Sequence, residues 1–203
     1  YDEWNPEVHL INPFEIPATW RRIRVIDFGY VNPFVCQWWA IDEDGRMYLY
    51  REIYFSHRIV ADHAIVINAW SVGENIEITI TDHDAEDQAT LRKEGIPTKP
   101  AYKAVLPGIE AVQKRLRVQG DGRPRLYIFR DALVEKDVLL EEEKKPTCTA
   151  EEVEGYVWKK SPEGRPDKEE PDKKDDHGVD TARYAVAYVD RIAYGPKKEA
   201  RTQ

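Results

Sequence analysis

Features that mark several common protein classes are scarce in this sequence. It contains only two cysteines, Cys36 and Cys148, and neither lies in a CxxC pair or a cluster with histidines. This excludes a disulfide framework and a cysteine-based zinc site. No apolar run approaches the roughly 20 residues that a membrane-spanning helix needs. No signal peptide opens the sequence, and we expect an intracellular protein in a reducing compartment.

The sequence also lacks the motifs of several enzyme classes. It has no serine nucleophile elbow, no HExxH zinc motif and no EF-hand loop. It has no GxxxxGK[ST] phosphate-binding loop, so we expect no ATP hydrolysis by this chain. Because the sequence begins with Tyr1 and not with methionine, we also expect it to be a fragment of a longer polypeptide.

The composition is that of a globular domain with a well-solvated surface. Hydrophobic residues make up 41% of the 203 residues, and six tryptophans and eleven tyrosines provide large side chains for a core. Charged residues make up 33%, and the formal net charge is −8. Because phosphate affinity comes mainly from Lys and Arg, this charge disfavours a general nucleic-acid-binding surface. That argument weakens if many acids are concentrated in one metal site.

The first half of the chain predicts three adjacent strands. They span Arg22 to Tyr30, Phe34 to Ile41 and Arg46 to Tyr54, and short turns at Asn32-Pro33 and Asp42–Gly45 separate them. Apolar runs joined by short turns are typical of an antiparallel meander.

Helices and strands alternate after the meander, which predicts an α/β fold. The expected elements are a helix capped by Ser56 that ends near Gly73, a strand over Ile76–Thr81, a helix from about Ala85 to Glu94, a short strand over Thr98–Lys103, a helix from Pro107, a strand over Leu126–Phe129 and a last helix that starts near residue 175. The order helix, strand, helix predicts a crossover and a parallel neighbour in the sheet. We assign no element to residues 131–145.

Polar segments flank the predicted domain. Residues 1–20 predict an entry segment with no fold of its own, and residues 195–203 a polar tail, so that the domain spans 21–194. Residues 161–174 are almost wholly charged and are broken by prolines, which predicts an exposed loop.

One carboxylate stands where a buried strand should carry another apolar side chain. Asp27 lies in the run RIRVIDFGY and has no capping role there. A bare carboxylate in an apolar strand is costly unless it is paired, hydrogen-bonded or bound to a metal. We therefore expect a partner or a metal ion at Asp27.

Further acidic residues follow the strand over 76–81 and open the last helix. They are Asp82, Asp84, Asp175, Asp176 and Asp180, with His177 among them. Carboxylates that converge are stable only if they share protons or bind cations, and Mg²⁺ and Mn²⁺ favour such oxygen ligands. Two such ions can hold the attacking water and the leaving oxygen of a phosphodiester.

These residues also have simpler interpretations. Asp175 or Asp176 can cap the last helix, Asp82 can belong to an ordinary turn, and Asp84 fits better as the cap of the helix at 85 than as a metal ligand. His177 can be a ligand, a group that orients a ligand, or a solvated residue at a helix start.

The combination of these segments resembles the carboxy-terminal nuclease domain of tailed-phage large terminase subunits. The likeness rests on DFGYVNPFVCQWWA, YLYREIY, the strand that leads into DHDAED, and DDHGVDTARYA. It implies an RNase H-like fold, in which a mixed sheet combines the antiparallel meander with parallel strands and carries helices on both faces. It also implies that residues 1–20 are the end of a connection to an ATPase domain that this chain lacks.

The resemblance further implies a metal-dependent endonuclease that cuts concatemeric double-stranded DNA during viral genome packaging in the host cytoplasm. The implied catalytic residues, which would hold a pair of Mg²⁺ or Mn²⁺ ions, are Asp27, Asp82, Asp176 and Asp180, with Asp175, Asp84 and His177 as further candidate ligands. The candidate DNA-backbone contacts are Lys159, Lys160, Lys173 and Lys174, although a solvated loop explains these lysines too. The implied partners are DNA, the ATPase domain of the same polypeptide, and small terminase and portal proteins.

Two alternatives to this function stay open. The first is another nuclease of the same fold, such as a junction resolvase or a DDE-type recombinase. The second is a non-catalytic module in which the acids bind a stabilising ion or dock a portal-like partner.

Overall fold

The structure is a computed structural model that describes residues 1–155 and 175–191. The helices and strands, in chain order, are α1 (Pro6–His9), β1 (Leu10–Ile11), β2 (Arg21–Asp27), β3 (Phe34–Ile41), β4 (Met47–Phe55), α2 (Val60–Trp70), β5 (Ile76–Thr81), α3 (Ala85–Lys93), β6 (Lys99–Pro100), α4 (Val105–Leu116), β7 (Leu126–Phe129), α5 (Val138–Glu142), α6 (Thr149–Gly155) and α7 (His177–Val189). The predicted charged loop at 161–174, the tail at 195–203 and the lysines Lys159, Lys160, Lys173 and Lys174 lie outside the described residues.

A mixed sheet of seven strands forms the centre of the fold. Its strand order is β1-β7-β4-β3-β2-β5-β6. Strands β2, β3 and β4 pair antiparallel, whereas β5 pairs parallel to β2 and β7 pairs parallel to β4. The structure confirms the predicted meander and the predicted parallel neighbour.

Helices cover both faces of the sheet, as predicted. On one face, α4 and α7 pack against strand residues such as Val25 and Trp39. On the other face, α2 and α3 pack against residues such as Ile26 and Trp38. Strand β3 lies between the two layers, and all eight of its residues are buried. This burial explains why its sequence is a continuous apolar run and does not alternate with polar residues.

The structure differs from the sequence-based expectations at several elements. Ser56 does not cap α2, because the residue before the helix is Ile59 and Ser56 instead donates its buried hydroxyl to Asp137. The entry segment contains α1 and β1, and β1 joins the sheet edge beside β7. Residues 131–145 contain the short helix α5, which Asp137 caps. These elements depend on contacts between distant parts of the chain.

Strand β2 ends at Asp27, so this carboxylate lies at the end of a strand and not within one. The chain leaves the sheet in a tight turn there, and a Cβ atom at Gly29 would lie only 2.5 Å from the carbonyl oxygen of Pro33. No helix within residues 1–155 or 175–191 is long and apolar enough to cross a membrane.

Candidate active site

Two parallel strands bring Asp27 and Asp82 to the same end of the sheet. Ile26 of β2 is in register with Thr81 of β5, and each candidate acid is the next residue along its chain. The backbone N–H of Asp82 donates a hydrogen bond to the carbonyl oxygen of Ile26 at 3.1 Å. Because neighbouring strands lie about 4.8 Å apart, the two acids occupy adjacent positions at this edge.

The start of α7 reaches the same place from the face of the sheet. His177 Nδ1 lies 3.1 Å from Asp27 Oδ2. Asp27 is only 8% exposed, so this imidazole is the compensating partner that a buried carboxylate requires. Burial lowers the pKa of His177, but the hydrogen bond and the charge of Asp27 outweigh burial and raise this pKa above its usual value. The pair therefore favours a protonated imidazole beside an ionised carboxylate.

Asp176 and Asp180 belong to the same group of charges. Asp176 immediately precedes α7, and its carbonyl oxygen accepts a hydrogen bond from the N–H of Asp180 at 2.8 Å. Burial, followed by the negative charge of Asp180, raises the pKa of Asp176, and the charge of Asp27 adds to this effect. Asp176 makes no side-chain capping bond to the helix. Its half-buried carboxylate is thus not used as a helix cap.

Three of these acids already have a cationic or imidazole partner. Besides the contact between Asp27 and His177, Lys103 pairs with Asp82, and Arg183 lies 2.6 Å from Asp180. Within residues 1–155 and 175–191, no three side chains of Asp, Glu, His or Cys form a ready-made ion-binding group. The donors are nonetheless carboxylate oxygens from three elements at one edge, and this is the chemistry that Mg²⁺ and Mn²⁺ prefer.

The remaining candidates lie at the margins of this group. The carboxylate of Asp84 accepts hydrogen bonds from the N–H groups of Glu86 and Asp87 and so caps α3. This is the simpler of its two sequence-based interpretations. Asp175 lies before Asp176 in the turn that leads into α7, with a left-handed φ of 50°.

A buried polar network behind the acids fixes the first turn of α7. The Gln37 amide, in the middle of β3, donates to the carbonyl oxygen of Gly178 at 2.9 Å and to Thr149 Oγ1 at 2.7 Å. Glu152 of α6 accepts a hydrogen bond from the N–H of Val179 at 2.8 Å. Gln37 and Glu152 are almost completely buried. Because α7 carries Asp180 and His177, this network determines where those side chains lie.

Two carboxyl groups in this network are held in the neutral form near pH 7. Burial raises the pKa of Glu52 to about 7 and that of Glu152 to about 8, against the hydrogen bonds that each accepts. Glu52 accepts from Thr149 and Gln37, and Glu152 accepts from Tyr54. Folding therefore keeps protons on groups that would ionise in the unfolded chain.

Sequence analysis did not single out these network residues, although two of them gave a signal. Gln37 interrupts the apolar run FVCQWWAI, and Glu52 interrupts YLYREIY, in the same way that Asp27 interrupts its strand. Glu152 gave no such signal, because it stands in the acidic segment EEVEG and resembles a solvated surface residue.

Solved structures contain the same arrangement of strands and helices. The P22 large terminase nuclease domain matches this chain with a TM-score of 0.68 and 18% identity, over 93% of this chain and 90% of that one. This chain has the fold of a large terminase nuclease domain. The expected mixed sheet of RNase H-like type is thereby confirmed.

Two further structures, both from thermophilic phages, share this terminase nuclease fold. A large terminase from a thermophilic bacteriophage, in its second crystal form, matches with a TM-score of 0.73 and 22% identity over 96% of this chain, which spans only 44% of that protein. The large terminase nuclease from thermophilic phage G20c matches with a TM-score of 0.55 and 11% identity, over 89% of this chain and 92% of that one. In comparisons of sequence, no family model and no curated protein matches the chain.

Proposed function

We propose that this chain is the nuclease part of a viral large terminase and hydrolyses phosphodiester bonds in double-stranded DNA. One observation carries most of the argument: Asp27, Asp82 and the first turn of α7 meet at one end of the sheet. Convergent carboxylates at the carboxyl ends of strands are an unfavourable arrangement unless cations compensate them. The terminase nuclease fold makes a nuclease site the most economical explanation of that arrangement.

The acids that would hold Mg²⁺ or Mn²⁺, as a pair of ions, are Asp27, Asp82, Asp176 and Asp180, and Asp175 lies beside them. When bound, such ions supply Lewis acidity and neutralise charge that develops on the phosphate. His177 orients the Asp27 carboxylate through its Nδ1 hydrogen bond, and Arg183 fixes Asp180 from a buried position. These contacts restrict the acids to one geometry, which favours catalysis.

The proposed setting is genome packaging in the cytoplasm of the host cell. The chain would act on concatemeric DNA as part of a longer polypeptide that supplies an ATPase domain, together with small terminase and portal proteins. Lys159, Lys160, Lys173 and Lys174 remain proposed contacts to the DNA backbone. The cationic partner at each of three acids is the observation that favours a non-catalytic module instead.

A plasmid-nicking assay tests this proposal. The chain is expected to nick supercoiled DNA with Mn²⁺ and to leave it intact with EDTA. Asp27→Asn should abolish nicking because it removes a ligand charge at the centre of the site. Asp84→Asn is the matched control, since it removes a nearby charge but preserves a side chain that caps helices well.

Two results would contradict the proposal: nicking that persists in EDTA, or an Asp27→Asn variant as active as the wild type. Linear, supercoiled and four-way DNA should be compared in the same assay. Preference for four-way DNA would favour a junction resolvase, and joining of cleaved ends to a second DNA would favour a recombinase.

A further inference from the structure

The ion pair between Lys103 and Asp82 differs from the other pairs in the candidate site. Lys103 follows the edge strand β6, and its Nζ contacts Asp82 Oδ1. The lysine and aspartate side chains are 42% and 27% exposed, respectively. By contrast, the side chain of Arg183 beside Asp180 is only 3% exposed. Lys103 is therefore the partner that can leave its acid without exposing the core.

The backbone holds Lys103 near Asp82. The N–H of Ala101 donates a hydrogen bond to the carbonyl oxygen of Thr81 at 2.8 Å. Ala101 lies two residues before Lys103, and Thr81 immediately precedes Asp82. The contact thus follows from strand pairing at the sheet edge and not only from the reach of a long side chain.

We propose that Lys103 is a further catalytic residue of this site. While no divalent ion is present, its ammonium group neutralises Asp82. When an ion binds to that carboxylate, the ammonium is displaced and contacts a phosphate oxygen of the DNA. This inference rests on the proposed function and names one residue that carries it out.

The competition follows from the shared oxygen. An ammonium group in contact with Asp82 Oδ1 occupies space that a metal ion on the same oxygen needs, and two cations so close repel each other. The lysine has a flexible four-carbon chain and a compact charge, so it can move aside at little cost.

The second role follows from the charge of the surroundings. Asp27, Asp82, Asp176 and Asp180 repel a phosphodiester that approaches the site. A mobile ammonium at the exposed margin offsets this repulsion and can follow the charge that develops on the phosphate. Removing one such stabilising group from an enzyme commonly slows turnover by about 10²–10³-fold.

The first test measures binding of Mn²⁺ to the 203-residue chain without DNA, by calorimetric titration. Lys103→Ala is expected to bind Mn²⁺ about two- to fivefold more tightly than the wild type, since partly exposed ion pairs have about this strength. Lys99→Ala is the matched control because Lys99 lies on the same edge strand and makes no ion pair among the described residues. Its affinity for Mn²⁺ is expected to equal that of the wild type.

The second test measures single-turnover cleavage of supercoiled DNA at saturating Mn²⁺. Lys103→Ala should cleave at least about tenfold more slowly, and Lys103→Arg should recover part of the rate because it restores the charge. Tighter ion binding combined with slower cleavage is a result that a merely structural lysine would not give. Thermal unfolding of each variant confirms that it is folded.

The outcomes separate this inference from the proposed function. If Lys103→Ala matches Lys99→Ala in Mn²⁺ affinity or in cleavage rate, while the wild type binds Mn²⁺ and cuts DNA, only the role of Lys103 is overturned. If the wild type neither binds Mn²⁺ nor cuts DNA, the proposed function fails and this inference fails with it.

Discussion

Glu152→Gln tests whether a neutral carboxyl group behind the site limits stability at physiological pH. Glu152 is 1% exposed, and burial raises its pKa from 4.5 to about 8. The negative charge of Glu52 adds to this effect, whereas the hydrogen bond from Tyr54 and the charge of His177 oppose it. A glutamine has the hydrogen-bonding pattern of the protonated acid, because its amide can donate to Tyr54 while its carbonyl accepts from the N–H of Val179.

The sign of the pH dependence follows from this shift. A folded-state pKa above the unfolded value contributes stability that is fully present below pH 4.5 and is lost as pH rises through about 8. Between these values, each carboxyl that stays protonated only in the folded chain lowers the free energy of unfolding by about 1.4 kcal/mol per pH unit. From pH 5 to pH 7 the wild type should thus lose on the order of 3 kcal/mol through Glu152. The variant should not.

Urea unfolding at four pH values from 5 to 8 measures this difference. Glu152→Gln should match the wild type near pH 5 and exceed its stability increasingly toward pH 8. Asp137→Asn provides a control of opposite sign: burial raises the pKa of Asp137, but hydrogen bonds from Ser56 outweigh burial and lower it. That variant should lose stability near pH 7. Parallel stability curves for Glu152→Gln and the wild type would refute the reasoning.

Two further predictions concern the elements around the site. Gly178→Ala should lower the free energy of unfolding by about 1–3 kcal/mol, since its Cβ would collide with Thr149 Oγ1 and lie 2.9 Å from Glu152 Oε2. Thermal unfolding measures this loss, and Gly155→Ala is the control because no atom lies within 4 Å of its added Cβ; equal losses in both variants would contradict the prediction. Asp84→Ala should cost about 1 kcal/mol in urea unfolding through loss of the α3 cap, whereas Asp84→Asn should cost little. A change in Mn²⁺ affinity in Asp84→Asn would instead make Asp84 a ligand.

Local patterns in the sequence were sufficient to predict the centre of the fold. Strands β2, β3 and β4 correspond to long apolar runs, and short turn sequences separate them, so their antiparallel pairing follows from connection length alone. Asp84 precedes a helical pattern and caps α3 as such a position predicts. The unusual position of Asp27 was visible because nothing local compensates a carboxylate in an apolar run.

Other parts of the fold and site depend on contacts that no local pattern encodes. Strand β1 has two residues and exists because it pairs with β7, far along the chain. The partner of Asp27 is His177, 150 residues away, and the partner of Asp82 is Lys103 beside a separate edge strand. Charged residues of this kind resemble solvated surface residues until the fold brings them together.

The candidate site combines a rigid side with an open side. On the rigid side, Gln37 and Glu152 bind the first turn of α7, and this arrangement requires a carboxyl group that destabilises the fold as pH rises. Buried polar groups that lower stability are expected where position matters more than stability. On the open side, the exposed Lys103 is the only one of the three partners that we expect to exchange with a metal ion. The asymmetry implies that α7 stays fixed while ion and DNA binding rearrange the edge at β6, so that changes in the network should alter stability and changes at Lys103 should alter chemistry.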